Sequence, residues 1–346
     1  MKKIIVTGVT GQDGSHMVDY LLKNTDHEVL GAVRRVSSGN QQNIRHLKDE
    51  KRFSLLDLDI TDSQNTEGVI SEHKPDYFIN FAANSFVGNS WDMPVSHMET
   101  NCMAVLHQLE ALRRHAPKCR YYNAGSSEEF GDVVFHPQTE EHPLRPRSVY
   151  GASKCSARHL VKSYRDSYDL YAIQGWLFNH EGVRRGEEFV TRKITKGVAR
   201  ILRDFETGKV ITPLELGNLD AKRDWSDAED FVDGVWKMLN QSCPKDYILS
   251  SNETHTIRRF VEEAFNFTGF HRSICRWEGE GLNEKYFHGK DCFVVVNPDL
   301  YRPADVELLL GDSTKAREEL GWEPRSNFFQ LIKKMVDRDV ASAIYW

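Results

Sequence analysis

The chain has 346 residues, 40% of them hydrophobic and 28% charged, with a formal net charge of −6. That length holds one large domain or two ordinary ones. The acidic balance argues against a general nucleic-acid or anionic-membrane binder, so any grip on phosphate has to be local. No apolar run reaches the roughly 18 residues of a membrane helix. The six scattered cysteines, without a C-x-x-C pair, read as reduced cytoplasmic thiols, not as a disulfide frame or a metal site.

Ile4, Ile5 and Val6 predict a short buried strand running into Gly8, Gly11 and Gly14, spaced G-x-x-G-x-x-G. Met17, Tyr20 and Leu21 then recur at helical spacing, so a helix is expected to open near Ser15. Glycines at such a turn let the backbone bend sharply and let a pyrophosphate come close. The helix N-terminus adds free N–H groups and a positive dipole end. Gly8, Thr10, Gly11, Gln12, Asp13 and Gly14 are therefore candidate dinucleotide contacts. The plain alternative is an ordinary strand-to-helix loop.

Further strands are expected at 27–33, 53–57, 77–83, 120–125 and 170–177, with helical stretches between them, for example 95–115 and 149–168. This alternation predicts an α/β fold: a Rossmann-type doubly wound parallel sheet up to about residue 178. The second strand ends in Val33-Arg34-Arg35-Val36-Ser37-Ser38. Arg34 and Arg35 suit a 2′-phosphate, which a carboxylate here would repel, so the expected cofactor is NADP(H). An exposed basic loop is the other reading. Asp59 and Ile60 close the third strand, where they could hold the adenine edge or start the next helix. Ala82, Ala83 and Ser85 lie at the end of the fourth strand, and small side chains there permit either a close ligand or tight helix–sheet packing.

Two stretches carry chemistry. Ser126 and Glu128 follow the fifth strand, and Tyr150 and Lys154 lie four apart near the start of the next helix, on one face. A tyrosine with a pKa of about 10 is a poor base at neutral pH. A neighbouring ammonium and the positive nicotinamide of an oxidised cofactor would favour its phenolate. Tyr150 could then take a hydroxyl proton while hydride leaves the same carbon, with Ser126 bonded to that oxygen.

These residues resemble the extended, nucleotide-sugar branch of the short-chain dehydrogenase/reductases. Glu128, two after Ser126, is similar to the added carboxylate of sugar 4,6-dehydratases in that branch. Longer stretches fit as well: T-G-V-T-G-Q-D-G-S at 7–15, L-F-N-H-E at 177–181, R-R-G-E-E-F-V-T-R-K-I at 184–194, L-G-N-L-D-A-K-R-D-W at 216–225 and Y-R-P-A-D-V-E-L-L-L-G-D at 301–312. From end to end the chain resembles the GDP-mannose 4,6-dehydratase family.

The resemblance implies a redox-neutral cycle with NADP(H) retained throughout. Tyr150 takes the 4-hydroxyl proton as hydride passes to the cofactor, and Glu128 takes the C5 proton. Water leaves from C6 with help from Glu128 or Ser126, and hydride returns to C6. The resemblance assigns His180 and Arg185 to the cofactor. It assigns Ser85, Ser126, Asn179, Val190, Lys193, Gly217, Arg223, Arg302 and Asp305 to the nucleotide sugar. It implies a cytoplasmic homodimer or homotetramer in which residues 35–43 reach a neighbour's cofactor. Asn84, Ser126 and Asp305 stand where the family usually has glutamine, threonine and glutamate. The first and third leave open a related sugar such as GDP-manno-heptose. A nucleotide-sugar epimerase or reductase using only Tyr150 and Lys154 is the runner-up, and an NADP(H)-sensing module is a third reading.

After about residue 178 the strict alternation fades. The expected division is a cofactor-binding domain of residues 1–178, with a return segment of about 226–250. A smaller, discontinuous α/β substrate domain takes 179–225 and 251–346. The stretch 313–322 reads as a structural helix ending at Gly321.

Overall fold

The computed structural model describes residues 1–35, 40–301 and 308–343. Its main sheet contains β1 (Lys3–Thr7), β2 (Glu28–Val33), β3 (Phe53–Asp57), β4 (Tyr77–Asn80), β5 (Arg120–Ala124) and β6 (Ala172–Leu177). A short strand, Ile248–Leu249, completes it. The order is β3-β2-β1-β4-β5-β6 and then Ile248–Leu249, with every pair parallel. The chain reverses its direction of travel between β1 and β4, which opens a crevice above their C-terminal ends.

The connecting helices are α1 (Gln12–Asn24), α2 (Ser63–His73), α3 (Pro94–Met98), α4 (Ala104–His115), α5 (Val149–Tyr168), α6 (Val190–Glu206) and α7 (Ala228–Leu239). Side chains alternate across a strand, and β1 shows the result. Ile4 and Val6 pack on one side with Met17 of α1 and Val235 of α7. Ile5 packs on the other with Ile70, Leu109 and Val161 of α2, α4 and α5. All three β1 side chains are fully buried, each contributing roughly 1.5–3 kcal/mol. Ala316, Leu320 and Trp322, far along the chain, join the first of these layers.

Two local details differ from expectation. The first helix opens at Gln12, not near Ser15. Gly14 makes this possible: a Cβ there would stand 2.3 Å from the Gly8 carbonyl oxygen, so only glycine lets the first turn sit directly on the loop. The stretch expected as one helix over 95–115 holds a π turn, Glu99–Met103, between α3 and α4. Such turns commonly mark functional positions, and this one carries buried Asn101. The Asn101 amide donates to the Asn84 carbonyl (3.0 Å) and to Ser153 Oγ (3.1 Å).

A second sheet of four strands runs Cys275–Glu278, Lys285–His288, Asp291–Val296, Leu214–Leu216. Its apolar face packs against α6 and the helices Ile257–Asn266 and Phe328–Ala343. Asn179–Glu181 pairs in parallel with Trp225–Asp227 where the chain passes between the two sheets, which brings Asn179, His180 and Arg223 to the crevice. The helix Thr314–Leu320 ends at Gly321, whose φ is +57°. Its first turn is met by Asp312, which accepts from the Thr314 N–H at 2.9 Å.

Candidate active site

The crevice holds a cleft of about 1180 Å³. Its floor is the glycine turn. Gly8 has φ +68°, and a Cβ there would meet the Ala82 nitrogen at 2.8 Å, so the turn and the end of β4 are pressed together. The Ala82 N–H donates to Thr7 Oγ1 (3.1 Å) across the same contact. No side chain caps the first turn of α1, and its N–H groups face a space that a pyrophosphate fits. Gly8, Thr10, Gly11, Gln12, Asp13, Gly14, Arg34, Asp59, Ile60, Ala82, Ala83, Ser85 and Arg185 all border this cleft. Arg35 is exposed and does not border it. Val36, Ser37 and Ser38 lie outside the described residues, as do Arg302 and Asp305. The Asp59 carboxylate accepts from Thr61 N–H (3.0 Å) and Oγ1 (2.7 Å). The cap of α2 is Asp62. Asn43, which donates to the Thr10 carbonyl at 2.9 Å, also borders the cleft and was not legible from its local sequence.

A smaller cavity of about 230 Å³ opens from the cleft past Asp13, Ala83, Ser85 and Arg185. Ser126, Glu128, Tyr150 and Lys154 all line it. Ser126 caps the single turn Ser127–Glu129: its Oγ accepts from the Glu128 N–H (3.2 Å), and its own N–H donates to Glu129 Oε1 (2.8 Å). Ser148 caps α5 by accepting from the Gly151 N–H (3.0 Å), which turns Tyr150 inward.

Burial pushes the Tyr150 phenol up to about 12; its hydrogen bond to Ser126 and the Arg185 charge favour the phenolate, while Glu128 and Glu129 oppose it. Lys154 lies lower than its motif suggests. Its Nζ donates to the Ala124 carbonyl (2.8 Å) and sits 6.0 Å from the Tyr150 ring centre. Burial pushes the Lys154 ammonium down to about 8, with Glu129 and Asp13 pulling it back up. Besides the Lys154 ammonium, the Arg185 charge also acts on Tyr150, supplied from 35 residues further along the chain.

The remaining candidates divide in two. His180 Nε2 lies 3.0 Å from Asp13 Oδ2, Nδ1 lies 2.7 Å from the Phe178 carbonyl, and the ring stacks on Phe231 at 4.6 Å. Burial disfavours both charges, but the pairing prevails: Asp13 is held well below the usual carboxylate range and His180 above the usual imidazole value. Arg185 Nε lies 3.0 Å from Glu181 Oε2, with its guanidinium 3.6 Å over the Phe189 ring centre. Asn179, His180, Val190, Gly217 and Arg223 line the smaller cavity. Asn179 Oδ1 is buried there without a protein partner, which suits a ligand donor. Lys193 borders neither space and is half-buried. Asn84 borders the large cleft only. Its amide donates to the Ser96 carbonyl (3.1 Å) and Oγ (3.0 Å), so it is turned away from the smaller cavity. Thr191, Trp225 and Tyr301 also line that cavity; each lies in a stretch that carries the family resemblance but was not singled out as a site residue.

A family model described as GDP-mannose 4,6 dehydratase matches residues 5–335. The chain belongs to the GDP-mannose 4,6-dehydratase family. It is 42% identical to the GDP-mannose 4,6 dehydratase of Drosophila melanogaster, over 98% of this chain and 86% of that one. It is 40% identical to the human protein of that name, over 97% and 91%. In fold it is similar to a dTDP-glucose 4,6-dehydratase from Bacillus anthracis solved in complex with NAD. That similarity has a TM-score of 0.80 and 22% identity, over 100% of this chain and 99% of that one. In this chain Glu128, the residue that resembles the carboxylate of sugar 4,6-dehydratases, lines one cavity with Ser126 and Tyr150.

Proposed function

We propose that this protein converts GDP-mannose to GDP-4-keto-6-deoxy-mannose by oxidation at C4, loss of water across C5 and C6, and reduction at C6. The observation that carries the reading is Glu128 in one cavity with Ser126 and Tyr150, in a chain of this family. Elimination next to a carbonyl needs a proton carrier besides the one at O4. A 4-epimerase or simple reductase has no use for it.

A nicotinamide cofactor, when bound, supplies the hydride acceptor and donor, so the reaction is redox-neutral overall. NADP(H) is the form that Arg34, at the rim of the cleft, favours. The chain's residues manage the protons. Tyr150 takes the 4-hydroxyl proton, with Ser126 bonded to the same oxygen. The resulting 4-keto group acidifies C5–H, which Glu128 removes. The leaving C6 hydroxyl departs as water with a proton returned by Glu128 or Ser126, and C5 is then reprotonated. Lys154 and Arg185 keep the site electropositive around Tyr150. His180, through Asp13, holds the start of α1 against the cofactor. Asn179, Val190, Gly217 and Arg223, with Arg302, Asp305 and Lys193, are assigned to the nucleotide and its diphosphate. Arginine's planar fork suits a diphosphate.

Residues 1–178 with 226–250 form the cofactor-binding unit on this reading, and 179–225 with 251–346 the sugar-binding unit, which sends Ala316, Leu320 and Trp322 back under the first sheet. The working form is taken as a cytoplasmic homodimer or homotetramer; no helix among the described residues is long and apolar enough to cross a membrane. The test is incubation of purified protein with GDP-mannose without added reductant. A 4-keto-6-deoxy product is expected at constant cofactor. An epimer alone, or stoichiometric consumption of cofactor, would overturn the reading. Glu128→Gln is expected to retain oxidation at C4 and to lose net dehydration.

A further inference from the structure

Behind the catalytic backbone lies a second carboxylate that never reaches the cavity. Glu129 has no exposed surface. Its Oε1 accepts from the Ser126 N–H (2.8 Å) and from Gln174 Nε2 (3.1 Å), and its Oε2 faces Arg158 Nε at 2.5 Å. Arg158 is one helical turn beyond Lys154 and two beyond Tyr150 on α5, so the three share a face. Gln174 Nε2 also donates to the Lys154 carbonyl (2.9 Å). Glu129 therefore grips both pieces of the catalytic apparatus: the loop that carries Ser126 and Glu128, and the helix that carries Tyr150 and Lys154. The space it uses is one that Gly125 vacates, since a Cβ there would stand 2.7 Å from both Glu129 Oε1 and Arg158 Nη2.

The same grip extends to the glycine turn. Thr7 Oγ1 donates to Asn80 Oδ1 (2.6 Å), Asn80 Nδ2 to Asn123 Oδ1 (2.8 Å), and Asn123 Nδ2 to Gln174 Oε1 (2.7 Å). These residues stand opposite one another across β1, β4, β5 and β6. A buried amide chain thus runs from the residue before Gly8 to Glu129.

A buried ion pair adds little net stability over a well-packed apolar pair. What this one adds is a fixed position and a charge at a chosen point. We propose that Glu129 is a positioning residue: it holds Ser126 in register with α5 and supplies the negative charge that keeps Lys154 cationic during turnover. This rests on the dehydratase reading only for the identity of the reaction. Burial depresses the Lys154 ammonium, and Glu129 and Asp13 are the charges that oppose this. Tyr150 meets Ser126, the Lys154 ammonium and the His97 ring, and feels the charges of Glu128, Arg185 and, from behind, Glu129, which disfavours its phenolate. Removing the Glu129 charge should thus ease deprotonation of both Lys154 and Tyr150, moving both limbs of the pH–rate profile to lower pH.

The test follows Lys154 directly. In protein labelled with ¹³C at lysine Cε, the signal absent from Lys154→Arg is titrated in wild type and in Glu129→Gln. A midpoint lower by roughly one pH unit or more is expected in the variant, with the alkaline limb of turnover moving by the same amount. Glu129→Gln with Arg158→Met removes both charges together and should shift the midpoint in the same direction but by less, because a nearby cation goes too, without leaving a buried arginine unpaired. An unchanged midpoint in either folded variant overturns the proposal. Failure of both variants to fold also overturns it, by assigning the pair to stability alone. If wild type makes no keto sugar, the proposed reaction is wrong, while the Lys154 midpoint still reports on Glu129.

Discussion

The two connected spaces of this crevice are built on different principles. The large cleft is shaped by backbone: glycines that permit a tight turn, an uncapped helix start, small side chains at a strand end, and an exposed arginine at its rim. The small cavity is shaped by buried side chains whose ionisation depends on one another. A phosphate-bearing ligand needs N–H groups at fixed places, and a bend in the chain provides them. Proton transfer needs groups with displaced pKa values, which takes burial and neighbouring charge. The contrast teaches that the cleft's properties are local to its segments, while the cavity's properties belong to the assembled fold.

Substitutions in each space should separate these principles. The largest effect is expected in the cavity. Tyr150→Phe removes the proton acceptor at O4 and should lower kcat by roughly a thousandfold, with NADP+ affinity changed only a few-fold. A comparable loss in affinity would mean that the cavity residues also build the cleft. Gly8→Ala comes next. A left-handed backbone and a Cβ 2.8 Å from the Ala82 nitrogen should cost roughly 1–3 kcal/mol, seen as at least a tenfold weaker NADP+ dissociation constant and a lower melting temperature. Near-normal affinity would show that the turn is not the phosphate cradle. The smallest effect is expected at the rim: Arg34→Ala should weaken NADP+ roughly tenfold, about 1.4 kcal/mol, and leave NAD+ unchanged. Equal weakening of both would remove Arg34 from the 2′-phosphate.

Much of this molecule was legible in its sequence. Five further strands of the main sheet fall at or inside the expected stretches, and Val149–Tyr168 is helical from end to end. Period-two and helical patterns record burial directly. The glycine turn could be read because its steric demand is met by a residue type, Ser126, Tyr150 and Lys154 because their types and spacing suit proton transfer beside a glycine turn, and Glu128 through the family resemblance. The π turn at Glu99–Met103 was not legible, since its reason is the contact of Asn101 with Asn84 and Ser153.

The sequence by itself determined the order of elements, the place of the glycine turn and the residue types proposed for proton transfer, because each depends on side-chain type and short spacing. Only the tertiary structure decided how those groups are charged. It brought His180 to Asp13 across 167 residues and the Arg185 charge within reach of Tyr150, while anchoring Lys154 on the Ala124 carbonyl. It also placed Glu129 behind the catalytic turn, with Arg158 beside it. Desolvation and Coulomb interactions act through space between segments distant in the chain, and no local pattern records them.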